Sequence, residues 1–154
     1  MKPSVASLYQ AVELQQEIPP LLIGERANAN GSKKFRELLL ADDYESCLKI
    51  AVEQEQKGAH IIDLCTAYAG RDEMAEMNEV VRRFTSSVNA PLVIDSTETP
   101  VIEAALKLHG GKPIINWVND TFATRSRLKD DNAALHEANL VLKARLQKEI
   151  EEEE

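Results

Sequence analysis

Four short aliphatic runs constrain the fold of this 154-residue chain most strongly, because helical patterns separate them and each ends near a polar residue. Aliphatic strands that alternate with helices through short connections form right-handed βαβ units and a parallel sheet. The carboxyl ends of parallel strands meet at one edge of the sheet, so polar residues there gather in one place. The runs begin near residues 21, 59, 91 and 112, and Asn28, Asp63, Asp95 and Asn116 are the polar residues at their ends.

The hydrophobic pattern predicts three segments and an α/β fold with about four βα units. We expect an N-terminal linker at 1–20, a half-barrel domain at 21–120, and a long C-terminal helix with an acidic end at 121–154. Within the domain, the predicted strands are 21–24, 59–65, 92–95 and 113–116, and the predicted helices are 33–40, 43–57, 72–86 and 100–109.

Two architectures place functional residues at the carboxyl ends of parallel strands: an (α/β)8 barrel and an open doubly wound sheet. The loop after the first strand lacks both G-x-G-x-x-G and G-x-x-x-x-G-K-[ST]. The sequence therefore disfavours a dinucleotide or a Walker-type phosphate as the ligand.

Composition excludes several classes of function. The formal net charge of -8 argues against nucleic-acid binding, which relies on clustered Lys and Arg. No stretch reaches the roughly 18 to 20 apolar residues that a membrane span needs, and residues 1–15 lack the order of a secretory signal. Cys47 and Cys65 have no metal-ligand spacing, so we expect reduced core thiols, no metal site and a cytoplasmic protein.

Four sequence segments resemble a known family. The order, spacing and residue identities of these segments are similar to those of the folate-binding domain of cobalamin-dependent methionine synthase. That domain belongs to a wider pterin-binding family, which includes dihydropteroate synthase and corrinoid methyltransferases. The resemblance covers about residues 5–116, and its segments are 19–35 (PPLLIGERANANGSKKF), 58–64 (GAHIIDL), 93–96 (VIDS) and 111–116 (GKPIIN).

The resemblance implies a TIM barrel that holds 5-methyltetrahydrofolate in its mouth and presents the N5-methyl group to cobalamin on a separate domain or chain. Asp95 matches the carboxylate that accepts hydrogen bonds from the pterin ring. Asn116 matches an asparagine whose amide meets the ring near N5, and it is therefore the expected catalytic residue. Asn28 and Asp63 are expected to line the same mouth as further substrate-binding residues.

Each of these four residues also has a purely structural interpretation. Asp63 and Asp95 could cap the loops that follow their strands, and Asn116 could satisfy a turn. The sequence alone leaves both interpretations open.

The sequence after Asn116 departs from the family pattern, since a complete barrel needs about 250 residues and only its first half is present. The tail shows a heptad spacing typical of a short coiled coil, although one amphipathic helix covering the last strand is an alternative. A half-barrel also leaves two strand edges unpaired, which predicts self-association. The heptad positions are Leu128, Leu135 and Leu142, and Asn132, Asn139 and Leu146 lie four residues after each.

Three functions remain open on sequence grounds. The first is a truncated folate-binding module of a methyltransferase for methionine synthesis, which is not active alone. The second is a small enzyme assembled from two half-barrels. The third is a non-catalytic interaction protein that oligomerises through its C-terminal helix.

Overall fold

The computed structural model describes residues 2–116 of the chain. These residues form two strands, then an alternation of four strands and four helices. In chain order the elements are β1 (Ser4–Ala6), β2 (Ala11–Glu13), β3 (Ile23–Asn28), α1 (Lys33–Leu40), α2 (Tyr44–Gln56), β4 (Ile61–Cys65), α3 (Glu73–Ser87), β5 (Leu92–Asp95), α4 (Thr99–Leu108) and β6 (Ile114–Asn116).

The main sheet has four parallel strands in the order β3-β4-β5-β6. Side chains alternate between the two faces of a strand. One face carries Ile62 and Leu64 of β4 and packs against the helices in the main hydrophobic core. The other face, which we call the open face, carries Ile61 and Asp63 of the same strand. The alternation of strands and helices predicted from sequence is therefore observed.

Side-chain caps mark the starts of α1, α2 and α3. The Ser32 hydroxyl accepts a hydrogen bond from the backbone N–H of Phe35 at the start of α1, at 3.2 Å. Asp43 caps α2 and Asp72 caps α3 in the same way, each at 3.0 Å. Such caps satisfy N–H groups that have no partner inside the helix. They fix the residues at which α1, α2 and α3 begin.

The predicted end of the first strand at residue 24 is wrong. Strand β3 continues to Asn28, and its register against β4 shifts between Gly24 and Ala27. The polar side chains of Glu25 and Arg26 do not end the strand, because β3 lies at the edge of the sheet, where they reach solvent. Asn28 consequently belongs to the strand itself and pairs with Cys65 of β4.

The prediction that residues 1–20 form a linker also needs correction. Strands β1 and β2 form an antiparallel hairpin, and Val5 in its first strand is only 4% exposed. Val5 packs against Ile61 and Val93 near the amino ends of β4 and β5, so the hairpin covers that end of the open face. Strands of three residues are too short to show a hydrophobic period, which is why the sequence pattern did not reveal them.

The hairpin is joined to the body through backbone contacts at Gly111. The backbone N–H of Ala6 donates to Lys112 O at 2.9 Å, and the N–H of Lys112 donates to Ala6 O at 2.8 Å. A Cβ atom on Gly111 would collide with the Ala6 carbonyl. Glycine at this position therefore lets the two backbones approach closely.

The long helix predicted for residues 121–154 lies outside the described residues, so the helix and its heptad pairing stay predictions. Within residues 2–116, no helix is long and apolar enough to cross a membrane.

Replacing the buried Val5 by Ala should lower the free energy of unfolding by about 1–3 kcal/mol, since a side chain packed between two strands is truncated. The control is Ile18→Ala, because Ile18 is 86% exposed and its loss should change stability by less than about 0.5 kcal/mol. Urea unfolding followed by circular dichroism measures both. Equal effects of the two variants would contradict the packing described for the hairpin.

Candidate functional site

The polar residues at the strand ends are joined by one asparagine side chain. The Asn28 amide nitrogen donates to Asp63 Oδ2 at 2.9 Å and to Asp95 Oδ2 at 3.2 Å. Asn28, Asp63 and Asp95 come from the adjacent strands β3, β4 and β5. We call these three residues the Asn28 cluster.

The orientation of the Asn28 amide is fixed by the loop that follows β3. Its Oδ1 accepts hydrogen bonds from the backbone N–H groups of Asn30, at 2.9 Å, and Gly31, at 3.1 Å. Only the carbonyl end of an amide accepts, and only the nitrogen end donates. The nitrogen must therefore face Asp63 and Asp95, and the loop holds it there.

Burial and nearby negative charges raise the pKa of both carboxyl groups. Burial raises the pKa of Asp63 most, and the charges of Asp95 and Glu25 raise it further, while the Asn28 hydrogen bond lowers it. Burial is also the main cause of the raised pKa of Asp95; hydrogen bonds from Asn28 and Cys65 lower it, and the Glu25 charge raises it. Within residues 2–116, neither carboxylate forms an ion pair with a Lys, Arg or His side chain. The cluster therefore favours a ligand that brings hydrogen-bond donors to two acidic groups.

Asn116 lies beside the cluster, on the next strand. Its register partner in β6–β5 pairing is Asp95, so the two side chains leave the sheet on the same face. Asn116 is exposed, and together with Asp63 it lines a cavity of about 290 Å³ on the open face. The structure thus brings all four sequence-predicted residues to one region, three through hydrogen bonds and the fourth through strand register.

Glu25 is a residue of this region that the sequence analysis missed. It lines the same cavity as Asp63 and Asn116, and its charge acts on both aspartates. It was missed because the first strand was predicted to end at Gly24. In a continued strand, the two-residue spacing of Ile23 and Glu25 places both side chains on the same face.

The two cysteines are free and buried, as the sequence predicted. Burial raises the pKa of Cys47 to about 12 and that of Cys65 to about 11, so both thiols stay protonated and unreactive at neutral pH. Within the described part of the chain, no three His, Cys, Asp or Glu side chains are arranged to hold a metal ion.

The described residues combine a parallel α/β sheet with two carboxylates that one amide bridges at the strand ends. Residues 24–153 match the family of pterin binding enzymes, and the chain belongs to that family. The match extends past Asn116, where the sequence analysis ended its resemblance, and so includes most of the tail.

Methionine synthases are among the relatives of this chain. The chain is 50% identical over 118 residues to methionine synthase of Mycobacterium tuberculosis and 48% identical over 118 residues to that of Mycobacterium leprae. Each match covers 77% of this chain and 10% of the relative, so the chain spans about a tenth of the length of these relatives. The resemblance to a segment of methionine synthase, predicted from sequence, is confirmed.

The fold also resembles a solved structure. Dihydropteroate synthase of Xanthomonas albilineans, in complex with indole-2-carboxylic acid and 6-chloroguanine, matches with a TM-score of 0.55 and 18% sequence identity. The match covers 75% of this chain and 41% of that chain. At this identity it shows the fold alone, and it confirms the prediction of an α/β partial barrel.

The raised pKa of Asp63 predicts that Asp63→Asn increases the free energy of unfolding at neutral pH, by about 1 kcal/mol. An ionised carboxylate whose pKa is higher in the folded state destabilises the fold fully above that folded pKa. The penalty disappears as the pH falls below the unfolded value of about 3.9. The gain from the variant should therefore shrink with decreasing pH, and its amide oxygen still accepts from Asn28.

Asp43→Asn is the matched control, because the hydrogen bonds of Asp43 at the α2 cap lower its pKa. A lowered pKa contributes stability that is lost as the pH falls, so this variant should be less stable than wild type at neutral pH and converge with it in acid. Urea unfolding at about pH 8 and about pH 2.5 measures both differences, since the lower pH lies well below the unfolded pKa of an aspartate. A loss of stability in Asp63→Asn at neutral pH would contradict the electrostatics described for the cluster.

Proposed function

We propose that the Asn28 cluster binds the pterin ring of 5-methyltetrahydrofolate. The observation that carries this proposal is the pair of carboxylates held side by side by one amide, with acceptor oxygens left over and no cationic partner among residues 2–116. Kinship with pterin binding enzymes and with methionine synthases supports the same ligand.

The pterin ring matches the chemistry of these oxygens. Its amino group and an adjacent ring N–H point in the same direction, so one carboxylate accepts both hydrogen bonds, and the negative charge strengthens them. Asp95 is the better placed of the two aspartates for this role, because it is less buried than Asp63. Asp63 is only 5% exposed, so it would accept the Asn28 hydrogen bond and line the floor of the pterin site.

Asn116 is the proposed catalytic residue. When the methyl group leaves N5, the bonding electron pair stays on the nitrogen, which must gain a proton or a hydrogen bond. An amide N–H from Asn116 would stabilise that nitrogen more as the bond breaks than before, and this difference is what accelerates a reaction. Asn116 is exposed and lies beside Asp95, so the pterin ring could pack over both residues from the solvent side.

The methyl acceptor would be cobalamin carried by a separate domain or chain, in a cytoplasmic protein that serves methionine synthesis. The described histidines do not face the cluster: His60 precedes β4 and accepts from Leu22 N through Nδ1, and His109 follows α4 and accepts from Gly111 N. This chain would supply the folate side of the reaction, because the Asn28 cluster would bind the methyl donor.

We further propose that the open edges of the sheet associate with another copy of the chain. At the β3 edge, the Gln54 side chain accepts from Arg26 N at 2.6 Å, and its Nε2 is buried without a partner. Gln54 lines a groove of about 280 Å³ beside β3, and Ile23 in that strand is 47% exposed. A strand from a second copy would cover Ile23 and pair with the backbone groups at the edge of β3. Two copies of the four parallel strands described in residues 2–116 would together make eight, which is the number in a barrel.

Replacing Asp95 by Asn should weaken binding of 5-methyltetrahydrofolate about 10- to 100-fold, because a charge-assisted pair of hydrogen bonds is lost. Isothermal titration calorimetry of the full chain measures the affinity, and Asn116→Ala should weaken it less. Glu45→Gln is the control, since it removes an exposed carboxylate that pairs with Arg83 on the helical layer. Equal affinity in wild type and Asp95→Asn would reject the proposed ligand orientation.

Sedimentation velocity at micromolar concentration should show a dimer of the wild-type chain. Ile23→Lys should shift it toward monomer, because a charge on the edge strand disfavours strand addition. Leu40→Lys is the control: Leu40 is similarly exposed but lies on α1. A wild-type chain that stays monomeric, or an equal effect of both variants, would reject association through β3.

A further inference from the structure

A buried histidine lies in the turn that joins α4 to β6. His109 directly follows α4 and is 7% exposed. Its Nδ1 accepts a hydrogen bond from the backbone N–H of Gly111 at 3.0 Å. A ring nitrogen that accepts a hydrogen bond carries no proton, so the proton of the neutral ring is on Nε2. The contact therefore exists only while His109 is uncharged.

This turn also holds the N-terminal hairpin against the sheet. Gly111 lies so close to the backbone of Ala6 that a side chain at this position would collide with the Ala6 carbonyl. The next residue, Lys112, exchanges two backbone hydrogen bonds with Ala6, at 2.9 and 2.8 Å. Val5, the neighbour of Ala6, is buried on the open face. A continuous chain of contacts thus runs from the His109 ring through Gly111 to the hairpin.

Protonation of His109 would break the first contact of that chain. Burial is the main cause of the lowered pKa of His109, and a hydrogen bond with its own backbone opposes it. The charged residues nearest to it in sequence are Lys107, which pairs with Glu103 on α4 at 2.8 Å, and Lys112. An imidazolium would be poorly hydrated in the closed turn, and its Nδ1–H would oppose the N–H of Gly111. Acid therefore favours the open turn, in which the ring reaches water.

A second histidine lies near the hairpin and has to be distinguished from His109. The Nδ1 atom of His60 accepts from Leu22 N at 2.9 Å. The His60 side chain also lines a cavity with Lys2 and Glu13, which form an exposed ion pair in the hairpin at 2.9 Å. The hydrogen bond of His60 secures the segment before β3 and not the turn between α4 and β6.

We propose that His109 is a pH-sensitive latch for the N-terminal hairpin. While the ring is neutral it holds Gly111, and the hairpin stays on the open face. When the pH falls, a proton binds Nδ1, the turn is released and the pairing of Ala6 with Lys112 opens. This inference does not depend on the proposed function, since the hairpin covers the amino ends of the strands and the Asn28 cluster lies at their carboxyl ends.

The direction of the pH dependence follows from proton uptake on opening. In the open turn the ring has the ordinary pKa of histidine, about 6.5, whereas in the closed turn burial lowers its pKa. The closed turn is therefore fully favoured above about pH 6.5 and loses stability as the pH falls below that value. Because one proton is taken up, the opening constant changes by at most about tenfold per pH unit.

Amide hydrogen exchange of the full chain, followed by NMR between about pH 7 and about pH 5, tests the latch. After correction for the intrinsic exchange rate, the protection of the Ala6 and Lys112 amides should fall about tenfold across this range. The Ile62 amide donates to Pro91 O within the main sheet and should keep its protection. The ordinary pKa of a glutamate, about 4.3, lies below the range.

Three variants assign the response to one side chain. His109→Asn supplies an amide oxygen that can accept from Gly111 N at every pH, so the hairpin amides should stay protected at about pH 5. His109→Ala removes the acceptor and should lower their protection at both pH values. His60→Asn is the matched control: it can keep an acceptor for Leu22 N and should leave the wild-type response unchanged.

Three results would overturn the inference. The first is constant protection of the Ala6 and Lys112 amides in the wild-type chain between pH 7 and pH 5, which needs no variant to fold. The second is an equal fall at the Ile62 amide, since acid would then open the whole sheet. The third is loss of the response in His60→Asn, which would assign it to His60.

Discussion

The two hydrogen bonds from the Asn28 amide to Asp63 and Asp95 are the interaction on which the site depends. Two carboxylates at neighbouring strand ends repel each other, and the donor between them offsets part of that repulsion. The donor is available because two backbone N–H groups of the following loop hold Oδ1 on the opposite side. Loop conformation, strand register and electrostatics therefore act together on one side chain.

The two faces of the sheet differ in composition. The face that packs on the helices carries Ala27, Ile62, Leu64, Leu92 and Ile94, which belong to the main buried core. The open face is apolar only near the amino ends of the strands, where Val5 of the hairpin packs against Ile61 and Val93. Polar residues occupy the carboxyl ends of the same strands. Buried acids are costly there, and the cost is tolerated because the rest of the sheet is well packed.

The sequence predicted the parallel sheet and the four polar residues, because aliphatic runs and capped helices repeat in a regular order. It did not predict that Asn28 bridges the two aspartates, since this contact depends on a register shift in β3 that no local pattern encodes. Glu25 was missed because the first strand was predicted to end at Gly24, whereas β3 continues to Asn28. The hairpin was missed because its strands are stabilised by contacts with distant residues rather than by their own period.

We propose that Asp63, Asp95 and Asn28 form one ligand-facing unit. Carbon-13 NMR of the aspartate side-chain carboxyls, recorded with and without 5-methyltetrahydrofolate, tests this proposal. The Asp63 and Asp95 resonances should move when the ligand binds, while those of the helix caps Asp43 and Asp72 stay in place. Unchanged resonances for Asp63 and Asp95 in the presence of bound ligand would contradict it.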